Sequence, residues 1–276
     1  VQTLPGSPTI EPIASLGNGT ADVAEASMAQ AQIASTDGKR YVNIAQIFQQ
    51  PDSVLICNLK PGTNSAADLR GARIAVSPDR HAIVAATLNK IFPDGGQPQF
   101  ANPVPDNIQN LVDGQTDCIL GSIFNEYWQA KDLGLKVFTV NPAEYGVTNI
   151  EDGLYVDEAR LQSPAFRDAC VALLEGLHEG WDWAGKHPSS TVGLVLEQNP
   201  ALNAATQLRQ LESVLPLLGT EFGYLDMSRY ETKNQLGLPA LPAELSDGLW
   251  THEIYNRTLA DAGRPNFITP VTTHYL

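Results

Sequence analysis

Short apolar runs alternate along the chain with segments whose apolar residues recur at helical spacing. "YVNIAQIF" (41 to 48) and "SVLICNL" (53 to 59) have the length and the β-branched content of strands. "PDRHAIVAATLNKIF" (78 to 92) starts with a proline directly after the strand-like "ARIAVS" (72 to 77), which is typical of a helix that follows a strand. This alternation predicts an α/β fold.

The pattern also divides the chain into parts. A block of alternating strands and helices extends to "KVFTV", and beyond about residue 163 the spacing is helical. Flexible or turn-like stretches flank the block at residues 60 to 71 and 142 to 152, so the chain crosses between two parts twice. We therefore predict two lobes with a hinge and a cleft between them. Lobe 1 comprises residues 1–62 plus 150–276, and lobe 2 comprises residues 66–146.

Charge and hydropathy limit the partners. The formal net charge is −14 with a pI near 4.6, and the 17 Lys and Arg residues are scattered, which disfavours nucleic acid and anionic lipid as partners. No apolar stretch approaches the roughly 18 to 20 residues of a membrane span, so we expect no membrane insertion of this chain. Because it begins with Val1 and not Met, we expect a processed or truncated start.

The three cysteines, Cys57, Cys118 and Cys170, lie in apolar contexts without paired spacing. An odd number in such segments predicts buried thiols and not a disulfide framework or a zinc site. His81 has no second ligand at helical spacing, so we do not expect it to bind a metal. We predict that the protein needs no metal and no cofactor.

Several segments together resemble a known family. They are "NPVPDNIQNLVDGQTDCILGSIFNEYWQAKDLG", "EYGVTNIEDGLYVDEARLQSPAFRDACVALLEGLHEGWDWAGKHP", "QLRQLESVLPLL" and "GYLDMSRYETKNQLGL". Their order and spacing resemble ABC-importer substrate-binding proteins related to the thiamine-pyrimidine synthases of fungi, over nearly the whole chain. The family normally begins with a further strand and helix that helps to form the pocket, and the present sequence starts after that unit.

The resemblance implies a two-lobed type II periplasmic-binding-protein fold with a central ligand cleft. It implies binding and not catalysis, a small-molecule ligand, and an ABC transporter permease as the partner. It also implies a periplasmic or extracellular location, with or without a lipid anchor.

Candidate ligand contacts follow from the ends of the predicted strands, because ligands of open α/β lobes bind there. Glu126 opens a helix after a buried strand, where its carboxylate can accept hydrogen bonds from ligand N–H groups, and the Asn-Glu pair stands where the family's pair does. Tyr145 can stack on a planar ring beside the turn at Gly146. The predicted ligand-binding residues are Ser7, Thr9, Ser27, Ser77, His81, Asn125, Glu126 and Tyr145.

Each of these residues also has a purely structural interpretation. The serines and Thr9 suit helix N-caps, Glu126 suits a helix first turn, and Tyr145 suits a hinge. Trp181 and Trp183 lie in the helical part, where we expect packing and not ligand contact.

The sequence leaves several functions open. The first hypothesis is capture of a small planar heteroaromatic molecule, similar to the thiamine pyrimidine, for an ABC importer. Alternatives are a sulfonate- or nitrate-type anion as the ligand, or the sensing domain of a receptor. A pyrimidine-synthase enzyme is disfavoured because that branch carries adjacent cysteines, whereas these cysteines are isolated. We therefore expect no enzyme activity.

Overall fold

The structure is a computed structural model that describes residues 1–4, 12–35, 38–76, 80–101, 107–147, 150–219, 221–226 and 248–262. The strands are β1 (Ala24–Ala26), β2 (Tyr41–Gln46), β3 (Ser53–Asn58), β4 (Arg73–Ala75), β5 (Gln99–Ala101), β6 (Cys118–Ser122), β7 (Val137–Val140) and β8 (Gly153–Asp157). The helices are α1 (Pro12–Gly17), α2 (Met28–Ala34), α3 (His81–Ile91), α4 (Asn107–Val112), α5 (Glu126–Asp132), α6 (Pro164–Lys186), α7 (Pro188–Gln198), α8 (Ala204–Leu218) and α9 (Glu253–Ala262). 3₁₀ turns in the described ranges include Ala66–Asp68, Pro142–Tyr145 and Glu158–Gln162. The α/β prediction is confirmed.

The first sheet has the order β1-β8-β2, and both of its pairings are antiparallel. One face packs against α6, α8 and α9 through apolar side chains such as Val42, Leu174 and Leu217, which form the first core. The other face packs against α1 and α2, with Tyr155 and Met28 fully buried. Apolar side chains on both faces therefore fix this sheet between two helical layers.

The second sheet has the order β5-β4-β6-β3-β7. β4 is parallel to β5 and β6, whereas β3 is antiparallel to both β6 and β7. This placement corrects the predicted division of the chain, which grouped residues 53 to 62 with the first lobe. The first crossing lies between Gln46 and Ser53, because β3 is an inner strand of the second sheet.

β3 shows why the local pattern could not reveal its sheet. Leu55 and Cys57 face the core beneath α3, which we call the second core. Val54 and Ile56 face the opposite side of the sheet, where α4 and α5 pack. A strand covered on both faces reads as a continuous apolar run. Such a run carries no information about which sheet it joins.

The cysteine prediction is also corrected. Cys57 on β3 and Cys118 on β6 form a disulfide, with Cα atoms 4.1 Å apart. These residues stand directly opposite each other in the antiparallel pair, a relation that only the strand register creates. Cys170 is a free, buried cysteine, as predicted.

From Pro164 to Leu218 the chain is helical apart from short turns, as predicted, and α9 follows, whereas Gly223 and Trp250 form single bridges to β2. Ser163 caps α6 by accepting a hydrogen bond from the Phe166 N–H, and a proline follows at the first helical position. Trp181 packs against the first core, while Trp183 is 41% exposed. Within the described part of the chain, no helix combines the length and the apolar character that a bilayer crossing requires.

Helices α5 and α8 connect the two sheets away from the crossings. The indole Nε1 of Trp128 donates to Ser213 Oγ at 2.8 Å. Asp132 accepts a hydrogen bond from Thr206 at 2.6 Å and pairs with Arg209. Because α8 packs on the first core and α5 on the second sheet, these polar contacts join the two lobes.

Candidate functional site

Acidic side chains meet where the chain crosses between the two sheets. Asp52 is the last residue before β3, and Glu151 with Asp152 directly precede β8. Asp52 is 6% exposed and Glu151 is 2% exposed. One carboxylate oxygen from each of the three residues lies within 4.8 Å of the others. We call Asp52, Glu151 and Asp152 the crossing acids.

Hydrogen bonds position the first two crossing acids. Glu151 Oε1 accepts from Ser53 Oγ at 2.8 Å and from Arg80 Nη2 at 3.3 Å. A carboxylate oxygen of Asp52 lies within 4.8 Å of one of Glu151, and Ser122 is close enough to lower the pKa of Asp52 against the effect of burial. Its Oδ1 atom is buried and has no hydrogen-bond partner among the described residues. The crossing acids therefore retain accepting capacity at one buried oxygen.

The second crossing is held against the first sheet by its backbone. The Gln46 side chain donates to the carbonyl oxygens of Glu151 and Phe48. The Ile47 N–H donates to the Asp152 carbonyl oxygen at 3.0 Å, and the Met28 N–H donates to Ile150 at 3.0 Å. The position of the acids is thus fixed by main-chain contacts and not only by their side chains.

Asp152 adopts the left-handed backbone region, with φ 51°. This region is uncommon for residues other than glycine, although aspartate tolerates it better than most. The conformation turns the chain sharply into β8 directly after Glu151. Two consecutive acids are thereby presented at the crossing.

The environment keeps protons on these carboxyl groups. Burial is the main cause that raises the pKa of Asp52 to about 9, and the neighbouring Glu151 adds to it. Burial, together with the charges of Glu25 and Glu151, raises the pKa of Asp152 to about 7, while Arg80 acts in the opposite direction. Near neutral pH, Asp52 is therefore protonated and Asp152 is partly ionised.

Glu25 extends the acidic region onto β1. Water reaches its side chain, yet protein atoms surround it closely enough for desolvation to raise its pKa. This combination is expected for the wall of a cleft. The region therefore holds four carboxyl groups, of which Glu151 and Asp152 interact with the guanidinium of Arg80, so it is suited to a positively charged or N–H-rich group.

The crossing acids are close enough together to hold a cation. Among the described residues, they are the group of three or more His, Cys, Asp or Glu side chains with this spacing. Arg80 already bonds to Glu151 on one side of this group. An acidic cluster alone does not identify a metal site, and we assign none.

Three of the predicted ligand contacts, Ser7, Thr9 and Ser77, lie outside the described residues. Ser27 caps α2: its Oγ accepts from the Gln30 N–H at 3.3 Å, and the Gln30 side chain accepts from the Ser27 N–H at 3.0 Å. This is a complete capping box. Ser27 follows β1 and so lies two residues from Glu25.

His81 and Asn125 take part in contacts within the protein. The His81 ring stacks on Phe100, with ring centroids 4.0 Å apart. Asn125 Oδ1 accepts from Gln129 at 2.9 Å and from Gln210 of α8 at 2.8 Å. Asn125 therefore belongs to the contact between the lobes, and ligand binding by either residue stays a prediction.

Glu126 and Tyr145 lie at the ends of their elements, as expected. Glu126 Oε2 accepts from the Ser122 N–H at 2.8 Å, and Ser122 in turn contacts Asp52. Ser122 therefore lies between Glu126 and the crossing acids. Tyr145 ends a 3₁₀ turn, is half-buried against the second core and precedes Gly146, whose φ is 70°. Their contact with a ligand stays a prediction.

The crossing acids themselves were not among the predicted site residues. Asp52 follows Pro51 between the two strand-like runs at 41 to 48 and 53 to 59, where an acid is ordinary. Glu151 and Asp152 lie in the second predicted crossing, where acids are common in exposed turns. The acids of the second predicted crossing were visible in the sequence. Asp52 lies outside the first predicted crossing, residues 60 to 71, so only the observed position of that crossing brings Asp52 beside Glu151.

Sequence comparison connects the chain to one family. The family model described as "NMT1/THI5 like" matches residues 1–191, which is more than half of the chain. A comparison with proteins of curated function gives no match.

Solved structures share the fold at low sequence identity. The putative periplasmic sulfonate-binding protein SsuA of Methylobacillus flagellatus has a TM-score of 0.65 and 15% identity, covering 98% of this chain and 83% of that one. A zinc-bound ligand-binding component of an ABC-type import system from Staphylococcus aureus has a TM-score of 0.68 and 13% identity, covering 89% and 84%. A DszB mutant in complex with biphenyl-2-sulfinic acid has a TM-score of 0.60 and 12% identity, covering 87% and 85%. These likenesses confirm the periplasmic-binding-protein fold.

Proposed function

Because the chain belongs to the NMT1/THI5-like family, we propose that it is an extracytoplasmic solute-binding protein that delivers a small molecule to the permease of an ABC importer. Two of its structural relatives are described as components of ABC importers. Two sheets joined by two crossings suit a protein that holds a ligand between lobes. The disulfide between Cys57 and Cys118 supports an oxidising location such as the periplasm or the exterior.

The ligand that we propose is small, planar and nitrogen-containing, with a positive charge or several N–H donors. A thiamine-pyrimidine-like molecule has this chemistry. The single observation that carries this choice is the excess of carboxyl groups, because the three crossing acids and Glu25 lie together and Arg80 interacts with two of them. Carboxylates accept hydrogen bonds and repel anions. Glu126 and Tyr145 remain proposed contacts beside this region.

A sulfonate-type anion is the second candidate. Two observations favour it: Arg80 is 38% exposed at the start of α3, and a relative is described as sulfonate-binding. A helix N-terminus beside an arginine suits an anionic group. Against it, Arg80 already pairs with Glu151, and the surrounding acids would repel an anion.

We propose that the protein is not an enzyme. Cys57 and Cys118 are joined to each other, and burial raises the pKa of the Cys170 thiol to about 11. No cysteine of the chain is therefore a reactive thiolate near neutral pH. One structural relative is a DszB mutant with a bound sulfinic acid, so the fold alone does not decide between binding and catalysis.

The test is calorimetric titration of the purified protein at pH 8 with two probes of one shape and opposite charge, benzamidine and benzenesulfonate. We expect benzamidine to bind and benzenesulfonate not to bind, because the crossing acids attract the amidinium group. Asp152→Asn should weaken benzamidine binding roughly ten- to a hundredfold, the range of a charge-assisted hydrogen bond. Binding of benzenesulfonate alone would establish the anion candidate instead.

Glu197→Gln is the matched control, because it removes one carboxylate from an exposed position on α7. Its affinity for benzamidine should equal that of the unaltered protein. An equal loss in both variants would show that net charge, and not the crossing acids, governs binding. Native mass spectrometry of the protein as purified should reveal a bound small molecule and give its mass.

A further inference from the structure

The two crossings of the chain touch through their acids. Asp52 belongs to the first crossing and Glu151 to the second. The two crossings are far apart in the sequence, since Glu151 lies 98 residues after Ser53, the residue that follows Asp52. Both carboxyl groups are more than nine-tenths buried. A carboxylate oxygen of Asp52 lies within 4.8 Å of one of Glu151. Two ionised carboxylates this close and this deeply buried repel each other strongly, so the fold favours a proton on one of them.

The charges that face this pair come from every element around it. Arg80, at the start of α3, bonds to Glu151, and Asp152 follows Glu151 in the chain. Glu25 on β1 acts on Asp152 across the end of the first sheet. Ser53 and Ser122 supply neutral hydroxyl groups. Among the described residues named above, one guanidinium stands against four carboxyl groups, so a proton on the buried pair reduces the excess of negative charge while no ligand is bound.

We infer that Asp52 and Glu151 hold one proton between them and that a cationic ligand entering beside them displaces it, so that ligand capture releases a proton. This inference rests on the proposed function. The buried Oδ1 of Asp52 has no partner among the described residues, so the pair keeps one unused hydrogen-bond acceptor. The raised pKa of Asp52, about 9, agrees with a proton held there at neutral pH.

Coupling of this kind makes affinity depend on pH. When binding releases one proton, the dissociation constant for a cation falls by up to about tenfold for each unit of rising pH. Asp52 and Asp152 both hold protons below pH 7, so the cluster is least attractive to a cation in mildly acidic solution. A solute-binding protein with this site captures its ligand best at neutral to alkaline pH.

The first experiment needs no ligand. Infrared spectra of protein labelled with ¹³C-carboxyl aspartate, recorded at pH 8, should show the C=O stretch of one protonated aspartate. At this pH Asp52 remains protonated, whereas Asp152 is mostly ionised. The band should persist in Asp152→Asn and vanish in Asp52→Asn. If Asp52→Asn does not fold, the pH titration of the band in unaltered protein decides: loss near pH 9 supports the inference, and absence of the band at pH 8 overturns it.

The second experiment measures proton release directly. Benzamidine is titrated calorimetrically at pH 8 in buffers that differ in ionisation enthalpy. The unaltered protein should release about one proton for each bound benzamidine, and Asp52→Asn should release none. Binding without proton release would overturn the inference and leave the proposed function intact. If benzamidine does not bind, the proposed ligand class fails, and the infrared band still decides whether the proton is present.

Discussion

Gly153 shows how closely β2 and β8 approach beside the crossing acids. A Cβ atom at this position would clash with Asn43 Nδ2 and lie 3.0 Å from Gln46 Oε1. These two side chains also bond to each other at 3.0 Å, and Gln46 holds the Glu151 backbone. Only glycine therefore fits where β8 begins.

Gly153→Ala should lower the free energy of unfolding by about 1 to 3 kcal/mol, because it overpacks a buried polar network. Urea denaturation measures the change. Gly180→Ala in α6 is the control, since a Cβ there meets nothing within 4 Å. That substitution should stabilise the protein by about 0.5 to 1 kcal/mol, the helix preference for alanine. Equal effects at both sites would contradict the packing argument.

Glu126 offers a second test at the residue scale. Glu126→Gln keeps an oxygen for the Ser122 N–H, so the fold should remain intact, but it removes the negative charge. If Glu126 contacts an N–H-rich ligand, benzamidine should bind more weakly by roughly 1.5 to 3 kcal/mol, the scale of hydrogen bonds to charged groups. Calorimetry on the variant measures this loss. Unchanged affinity would leave Glu126 with its structural role alone.

Among the elements, β3 determines the most features of the site. Its pairing with β6 and β7 places Asp52 beside Glu151 and Cys57 opposite Cys118. Both the acidic site and the disulfide thus depend on one inner strand. A change that loosens β3 should disturb the crossing acids as well as the second core.

Removing the disulfide should destabilise the protein because it closes a long loop. Cys57 and Cys118 are 61 residues apart. In the chain-entropy account, a closure of this length contributes about 4 kcal/mol. Urea denaturation of the Cys57→Ala/Cys118→Ala double variant should show a loss of this order. Thiol counting on unfolded, unreduced protein should find one free cysteine, Cys170, and a count of three would contradict the bond.

On the scale of the whole molecule, the raised pKa values predict how stability depends on pH. Asp52 and Asp152 have pKa values of about 9 and about 7 in the fold, against an ordinary value of 3.8. Between pH 5 and pH 9 the folded protein therefore holds protons that the unfolded chain has lost. Stability is greatest at the acidic end of this window and falls as pH rises, by about 1.4 kcal/mol per pH unit for each extra proton.

Urea denaturation at pH 5, 7 and 9 tests this expectation. Asp52→Asn should flatten the decline between pH 7 and pH 9, where only Asp52 still holds its proton. Ion-paired acids such as Asp117 have lowered pKa values and act only in more acidic solution, so they do not mask the effect. Stability that rises from pH 7 to pH 9 would show that Asp52 is ionised in the fold.

The sequence by itself determined what depends on neighbouring residues. The apolar spacing located α3 and α6, the caps located the start of α6, and the turn at Gly146 was expected from its glycine. The α/β class and the family followed because many such local signals occur in a fixed order. These features were predictable because helix periodicity, capping and turn chemistry act over a few residues.

The tertiary structure alone decided what depends on distant residues. The continuous apolar run of β3 fits either sheet equally well, and only packing on both faces assigns it to the second sheet. That assignment fixes the register that pairs Cys57 with Cys118 and brings Asp52 to Glu151. The raised pKa values follow from burial at this meeting point and not from the residue types. Contacts between residues nearly a hundred positions apart leave no periodic trace in a single sequence, so the site became visible only once the chain was folded.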